Sequence, residues 1–192
     1  LDEAGARRRA LAADKDSFYL SPWQMGPKRL DQHMEFAREN ELNAVVIDFK
    51  DDEGRLVYDS ALEPHNEIGA VAGFFDAERV IETVHENGLY LIARVVVFKD
   101  KQLYGANQNE YAVWDRRLDQ AWAVYRDEQA VEHWVDPFSE EVWEYNIAVA
   151  EELEQLGVDE IQFDYIRTPA DGRTWDITYR HHDASIVMQE DD

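Results

Sequence analysis

The sequence contains no cysteine. Disulfides, thiolate metal sites and a cysteine nucleophile are therefore excluded, and the absence fits an exported protein. Basic residues are also scarce: 19 Lys and Arg stand against 42 Asp and Glu, a formal net charge of −23. A surface of that sign repels nucleic acid and anionic membranes and favours a neutral or cationic ligand. Most of the acids are expected on a solvated outer face. Long apolar runs are missing too. The strongest, LYLIARVVVF over residues 89–98, is short and broken by Arg94, so no membrane-crossing helix is expected. The ARRR at 6–9 is followed by no apolar stretch, unlike a signal peptide. Residue 1 is leucine, which implies a processed end or an imposed boundary. An extracytoplasmic location (secreted, periplasmic or cell-surface) is the expectation.

Several chemical signatures are absent as well. No Gly-rich phosphate loop follows an apolar strand, no HExxH spacing links the six histidines, and there is no GxSxG. Dinucleotide binding, a zincin centre and serine nucleophile chemistry thus have no support, and no metal or cofactor is expected. The HHD at 181–183 is a weak metal-ligand pattern that reads more simply as a solvated loop.

What is present is an alternation of strands and helices. The 192 residues suffice for one domain with a substantial core. Residues 1–16 read as a polar lead-in, mobile or a short helix. SFYLSPW (17–23) is a strand ended by Ser-Pro, and Pro27 suits the first position of a helix running to about Asn40. NAVVIDFK (43–50) is a second strand. Asp76 is a suitable N-cap for a helix with Val80, Ile81 and Val84 on one face, and Gly88 ends it. LYLIARVVVF is the third strand. Ser139, followed by Glu140 and Glu141, opens a third helix that ends at Gly157, and DEIQFDY (159–165) is the fourth strand.

The order β-α-β-α-β-α-β predicts an α/β fold with a parallel sheet covered by helices. FKD recurs at the ends of the second and third strands, as Phe49-Lys50-Asp51 and Phe98-Lys99-Asp100. Repeated βα units with functional groups at strand C-termini suggest a TIM (β/α)8 barrel, with a doubly wound sheet as the alternative. Only four strands are evident where a barrel needs eight. Residues 17–192 are therefore expected to form about the first four βα units, with a loop insertion at 101–134 and the remainder absent from this sequence.

Strand side chains alternate between faces. If the helix-facing side is apolar, Asp48, Lys50, Arg94, Gln162 and Asp164 fall on the interior near its C-terminal mouth, with Tyr165 and Arg167 at the rim. Buried charges cost several kcal/mol each unless paired. Two readings follow: an ion-pair network that closes the barrel, or a polar active site at the strand ends. Asp136, before Pro137, is either a turn residue or part of that site. Asn146 lies on the apolar stripe of the third helix and is read as structural. The 101–134 connection carries Tyr104, Tyr111, Trp114, Trp122 and Tyr125, with Trp134 at its end. These are either stacking platforms for sugar rings or part of a small satellite core or hairpin.

NAVVIDFKDDEGRLVY, ARVVVFKD, WVDPFSEEVWEYNIAVAEE and GVDEIQFDYIRTP together resemble a bacterial glycoside-hydrolase-like domain family of the TIM-barrel class, over residues 17 to about 183. The last two motifs, in that order and spacing, are fairly specific. The wider class has W-x-[DN]-P before a helix that leads into D-G-I-x-x-D-Y. The resemblance implies a carbohydrate-active barrel in which a strand-four Asp is the nucleophile, and that role maps onto Asp164. The general acid of such enzymes comes from a later strand, and none is visible here.

On this basis the expected function is hydrolysis of a polysaccharide or cell-wall glycan. Lys50 and Arg94 would hold Asp164 ionised. Asp48, Lys99, Trp134, Asp136, Gln162, Tyr165 and Arg167 would bind substrate or orient the nucleophile. An acid partner about 5–5.5 Å away would imply retention of configuration, and about 6.5–9.5 Å inversion. The alternative is a non-catalytic glycan-binding or scaffold module on a partial barrel, completed by another chain or by a missing C-terminal half.

Overall fold

The computed structural model describes residues 3–182. The elements in chain order are α1 (Glu3–Ala13), β1 (Ser17–Leu20), α2 (Pro27–Glu39), β2 (Ala44–Lys50), β3 (Leu56–Tyr58), α3 (Glu63–Glu67), β4 (Val71–Phe75), α4 (Ala77–Glu86) and β5 (Tyr90–Val96). There follow α5 (Lys101–Gly105), β6 (Trp114–Asp115), β7 (Gln120–Ala121), β8 (Ala123–Arg126), β9 (Gln129–His133), α6 (Glu140–Leu156), β10 (Glu160–Asp164) and β11 (Ile177–Thr178).

The helix limits follow local chemistry. Pro27 starts α2, which buries Leu30, Met34 and Ala37. The Asp76 carboxylate accepts the Arg79 N–H and caps α4. Ser139 Oγ accepts the Val142 N–H at 3.4 Å to cap α6, and Glu140 and Glu141 occupy its first turn. Gly157 ends α6 at φ +97°, where a side chain would be strained, and its N–H reaches the Leu153 and Glu154 carbonyls.

Strands β1, β2, β5 and β10 lie side by side in chain order, and all three pairings are parallel. One face of this sheet carries Val45, Ile47, Phe49, Leu91, Ala93 and Val95. They pack into one cluster with Leu30 and Met34 of α2, Val80 and Val84 of α4, and Val149 and Leu153 of α6. Burial of such side chains contributes about 1.5–3 kcal/mol each. The opposite face is apolar only in its lower half, where Ala44, Tyr90, Ile92 and Val46 are packed by Leu11 of α1. Arg8 and Lys15 tie this lead-in to the start of β10 through Asp159 (2.8 Å) and Glu160 (2.5 Å). The upper half of that face is polar.

Among the described residues the sheet does not close. Strand β10 pairs only with β5, and β1 only with β2. Phe163 and Ile166 stand 44% and 64% exposed beside the free edge of β10. Next to them Ile147, Ala150, Val158 and Ile161 line a groove of about 320 Å³ between α6 and β10.

Strands β3 and β4 have no counterpart in the sequence-based expectation. Strand β3 turns back antiparallel on the end of β2, with Lys50 opposite Leu56, and β4 runs parallel to β3. Residues 101–134 fold into a short helix and small hairpins. Their core is Val113, Trp122, Val124 and Trp134, so the satellite-core reading of the aromatics holds for Trp122 and Trp134.

Candidate active site

The polar upper half of the sheet face opens into a cleft of about 640 Å³. Its floor is Val46, Asp48, Arg94 and Gln162, and its walls include Tyr19, Asp52 and Glu53. Asp48 and Arg94 are directly opposed across the β2–β5 pair. Arg94 is the hub. Its Nη1 donates to Asp48 at 2.9 Å, its Nη2 to Asp52 at 3.0 Å, and its Nε and Nη2 reach Asp164 Oδ2 at 2.8 Å. Three carboxylates from two strands and one loop thus converge on one guanidinium, whose fork suits several such partners at once. Lys99 approaches Asp52 from the far side at 3.6 Å. Tyr19 donates from β1 to the second oxygen of Asp48 at 2.5 Å.

Asp164 sits at the C-terminal end of β10. Partial burial pushes its carboxyl up, but the Arg94 hydrogen bonds and the Tyr165 N–H on Oδ1 (2.7 Å) outweigh this and hold it below the usual carboxylate range. Tyr165 presents that N–H at φ +52°, a conformation that costs a non-glycine residue about 1–2 kcal/mol. The side chain of Asp164 remains 46% exposed. The arrangement therefore offers an ionised, positioned and accessible carboxylate. A proton donor would need a raised pKa. The one carboxyl among the described residues with a resolved upward shift is Asp100, which lies fully buried behind the sheet.

A family model described as "Putative glycosyl hydrolase domain" matches residues 17–190. The chain belongs to that family. A crystal structure of a hypothetical protein from Ruminiclostridium thermocellum ATCC 27405 superposes with a TM-score of 0.76 at 33% identity, covering 85% of this chain and 82% of that one. Two enzymes share the fold at lower similarity. A GH31 alpha-xylosidase from a soil metagenome, complexed with xylose, gives a TM-score of 0.52 at 12% identity, covering 85% of this chain. The maltogenic alpha-amylase AmyB from Thermotoga neapolitana gives 0.53 at 13%, covering 80% of this chain. This chain spans 24% and 40% of those two chains. No curated protein matches the sequence.

Asp164 lies on the face where strand alternation puts it, and so do Asp48, Arg94 and Gln162. Lys99 is at the site as well, with its ammonium 5.0 Å from the Tyr165 ring centre. Arg167 lies over the Tyr165 and Trp134 rings and adds to the positive field on Asp164.

Three expectations are corrected. Lys50 does not face the cleft. The β2–β5 register slips between Asp48 and Lys50, which turns Lys50 to the helix side. There its Nζ pairs with Asp100 at 2.7 Å and donates to Asn146 Oδ1 and the Val96 carbonyl, both at 2.9 Å. Trp134 is also unavailable to a ligand: it is buried beneath Tyr165 and Arg167. Asp136 is fully buried and accepts the backbone N–H groups of Phe138 and His181 (both 3.0 Å), so it is a turn residue. In the HHD stretch His181 bonds the Glu110 carbonyl, and Asp183 lies outside the described residues. Sequence reasoning missed Asp52 and Tyr19. Asp52 lies in the loop after β2 and Tyr19 within β1, and the DD pair at 51–52 was the available signal for the first.

The loop behind Lys50 yields a separate prediction. Gly54 adopts φ +79°, and a Cβ there would lie 1.9 Å from Asp100 Oδ1. Gly54→Ala should therefore destabilise by about 2–4 kcal/mol, combining left-handed strain with damage to the Lys50–Asp100 pair. A urea midpoint unchanged from wild type would refute this.

Proposed function

We propose that this chain is the nucleophile-bearing part of a (β/α)8 glycoside hydrolase, with β1, β2, β5 and β10 as its first four barrel strands. The observation that carries the reading is Asp164. It is ionised by Arg94, open to solvent, and placed at the C-terminal end of the fourth parallel strand, where barrel enzymes keep their chemistry. In the reaction Asp164 attacks the anomeric carbon or stabilises the oxocarbenium ion. Asp48, Asp52 and Gln162 are placed to accept or donate hydrogen bonds to sugar hydroxyls.

Protonation of the leaving oxygen falls to a carboxylic acid on a further βα unit. That unit, from a continuation of the chain or from another copy, would pair with the free edge of β10. It would cover Phe163, Ile147 and the groove between them. The substrate is a polysaccharide or cell-wall glycan met outside the cytoplasm.

Reaction with 2-deoxy-2-fluoro glycosyl fluorides tests the assignment, because such reagents accumulate the covalent intermediate of a retaining enzyme. The expected result is a glycosyl ester on the peptide containing Asp164, found by mass spectrometry. A label on another carboxylate overturns the assignment. A second reading, a glycan-binding or scaffold module without turnover, is favoured by one observation: both oxygens of Asp164 are already hydrogen-bonded. That reading expects no label and no reducing ends, with glycan binding intact.

A further inference from the structure

We infer that Trp23 is the sugar-stacking platform of the cleft, and that the glycan it receives is uncharged. This rests on the glycan reading of the cleft but not on catalysis by Asp164. The expected platforms in the 101–134 connection are mostly taken up by packing. Trp23, in the turn after β1, is instead 63% exposed at the lip of the 640 Å³ cleft, whose floor is Asp48 and Arg94.

An exposed tryptophan alone means little. This one is braced from behind. Its ring stacks on Phe74 of β4, centroids 4.5 Å apart and planes tilted by 31°. The Arg55 guanidinium lies over the same Phe74 ring at 5.6 Å. Arg55 is in turn clamped by Asp51, with Nε and Nη2 at 2.8 and 2.7 Å from one carboxylate oxygen. Asp51 is held by the N–H groups of Glu53 and Arg55 on its other oxygen. The backbone beneath Trp23 is equally fixed. Pro22 opens the turn, the Ser21 N–H donates to the Gln24 side chain at 2.8 Å, and the Trp23 carbonyl accepts from Arg29 at 3.1 Å. The chain Asp51–Arg55–Phe74–Trp23 thus holds a large aromatic surface still while leaving most of it in water.

Rigidity of that kind lowers the ordering cost of binding. A pyranose ring presents a face of C–H groups to such a surface, and its hydroxyls then point toward the carboxylates and Arg94 on the floor. Asp48, Asp51, Asp52 and Glu53 line the same cleft against two cations, Arg55 and Arg94, that are already paired with these acids, so the excess negative charge disfavours uronate-bearing chains. The strand-one side of the cleft carries Trp23, and the strand-four side carries Gln162. A bound oligosaccharide would therefore run across the strand ends from Trp23 toward Asp164.

The test is a calorimetric and fluorescence titration of the full chain. The probes are cellohexaose, xylohexaose, maltohexaose and N-acetylchitohexaose, with hexagalacturonate as the anionic comparison. The expected result is binding of at least one neutral hexasaccharide. Trp23→Ala should weaken it about tenfold or more, while Trp23→Phe keeps most of it. Binding is read without turnover, which separates this inference from the nucleophile assignment, and Trp175→Ala, at an equally exposed tryptophan that does not line the cleft, should bind as wild type does. Equal affinity of Trp23→Ala and wild type, binding of hexagalacturonate alone, or binding of no probe would each overturn it.

Discussion

Asp164→Asn is expected to slow glycan hydrolysis by roughly 10⁴-fold or more in an assembly that turns over, the scale seen when a nucleophile is removed. The substitution keeps one of two acceptors, since the single amide oxygen can take the Arg94 bond or the Tyr165 N–H but not both, so circular dichroism of the variant should accompany the rate. Arg94→Gln is the informative companion. In the wild type, burial raises the Asp164 carboxyl, and the Arg94 hydrogen bonds, the Tyr165 N–H and the charges of Arg94 and Arg167 together lower it further than burial raises it. Activity that needs the ionised carboxylate is then retained well into the acid range and lost only as pH falls through the depressed value. Without Arg94 only the Tyr165 N–H and the Arg167 charge oppose burial, so the acidic limb of the kcat/KM profile should move to higher pH. The same depression means Asp164 adds stability above its unfolded-state pKa and withdraws it on acidification. Asp164→Asn retaining hydrolysis within tenfold of wild type, or an acidic limb that stays put in Arg94→Gln, would sink the nucleophile role.

The contrast between Arg94 and Lys50 marks where sequence reasoning worked and where it could not. Both were assigned to the cleft by strand parity. For Arg94, Asp48 and Gln162 the period of two holds, since their strands are regular up to those positions. For Lys50 it fails because one register slip after Asp48 flips the residue to the other face. No residue type announces that slip: Phe49 and Lys50 are ordinary strand residues. Its cause is tertiary, since the end of β2 is pulled into antiparallel pairing with β3.

The same event explains why β3 and β4 escaped notice. Three apolar residues at 56–58 and a glycine-containing VAGFF carry too little periodicity to stand out. They hold their place through contacts distant in sequence, such as the Tyr58 hydroxyl on Glu152 of α6 at 2.5 Å. The helices were legible because their caps are local. Asp76, Ser139 and Gly157 each act within one turn of their own position. Trp134 and Asp136 misled for the opposite reason, since a Trp and an Asp beside a proline look functional until burial is known.

Lys50→Met should destabilise the fold by about 3–5 kcal/mol, the cost of leaving one partner of a buried ion pair alone. Lys50 and Asp100 are both fully buried and 2.7 Å apart. Asn146 completes the cage, because its Oδ1 accepts from Lys50 while its Nδ2 donates to the Val142 carbonyl. Methionine fills most of the volume but supplies no charge and no donors, so the loss is electrostatic rather than a cavity. Burial already pushes the Asp100 carboxyl up, against the pull of Lys50. With Lys50 gone, Asp100 is protonated in the folded state at pH values where it ionises when unfolded. A carboxyl raised in this way contributes stability at low pH and withdraws it as pH rises, so the deficit of Lys50→Met should shrink on acidification. Nearby His65 adds to this. Burial, then repulsion by Lys50, hold its imidazole down to about 3. It therefore costs the wild type stability as pH falls below the ordinary histidine value, and less so once the repulsion is removed. The double variant Lys50→Met/Asp100→Leu should recover most of the loss, because replacing both charges leaves nothing unpaired. Urea denaturation of the three proteins from pH 4 to pH 8 decides it. A Lys50→Met deficit under about 1 kcal/mol, or one independent of pH, would mean that the ion pair does not organise this side of the sheet.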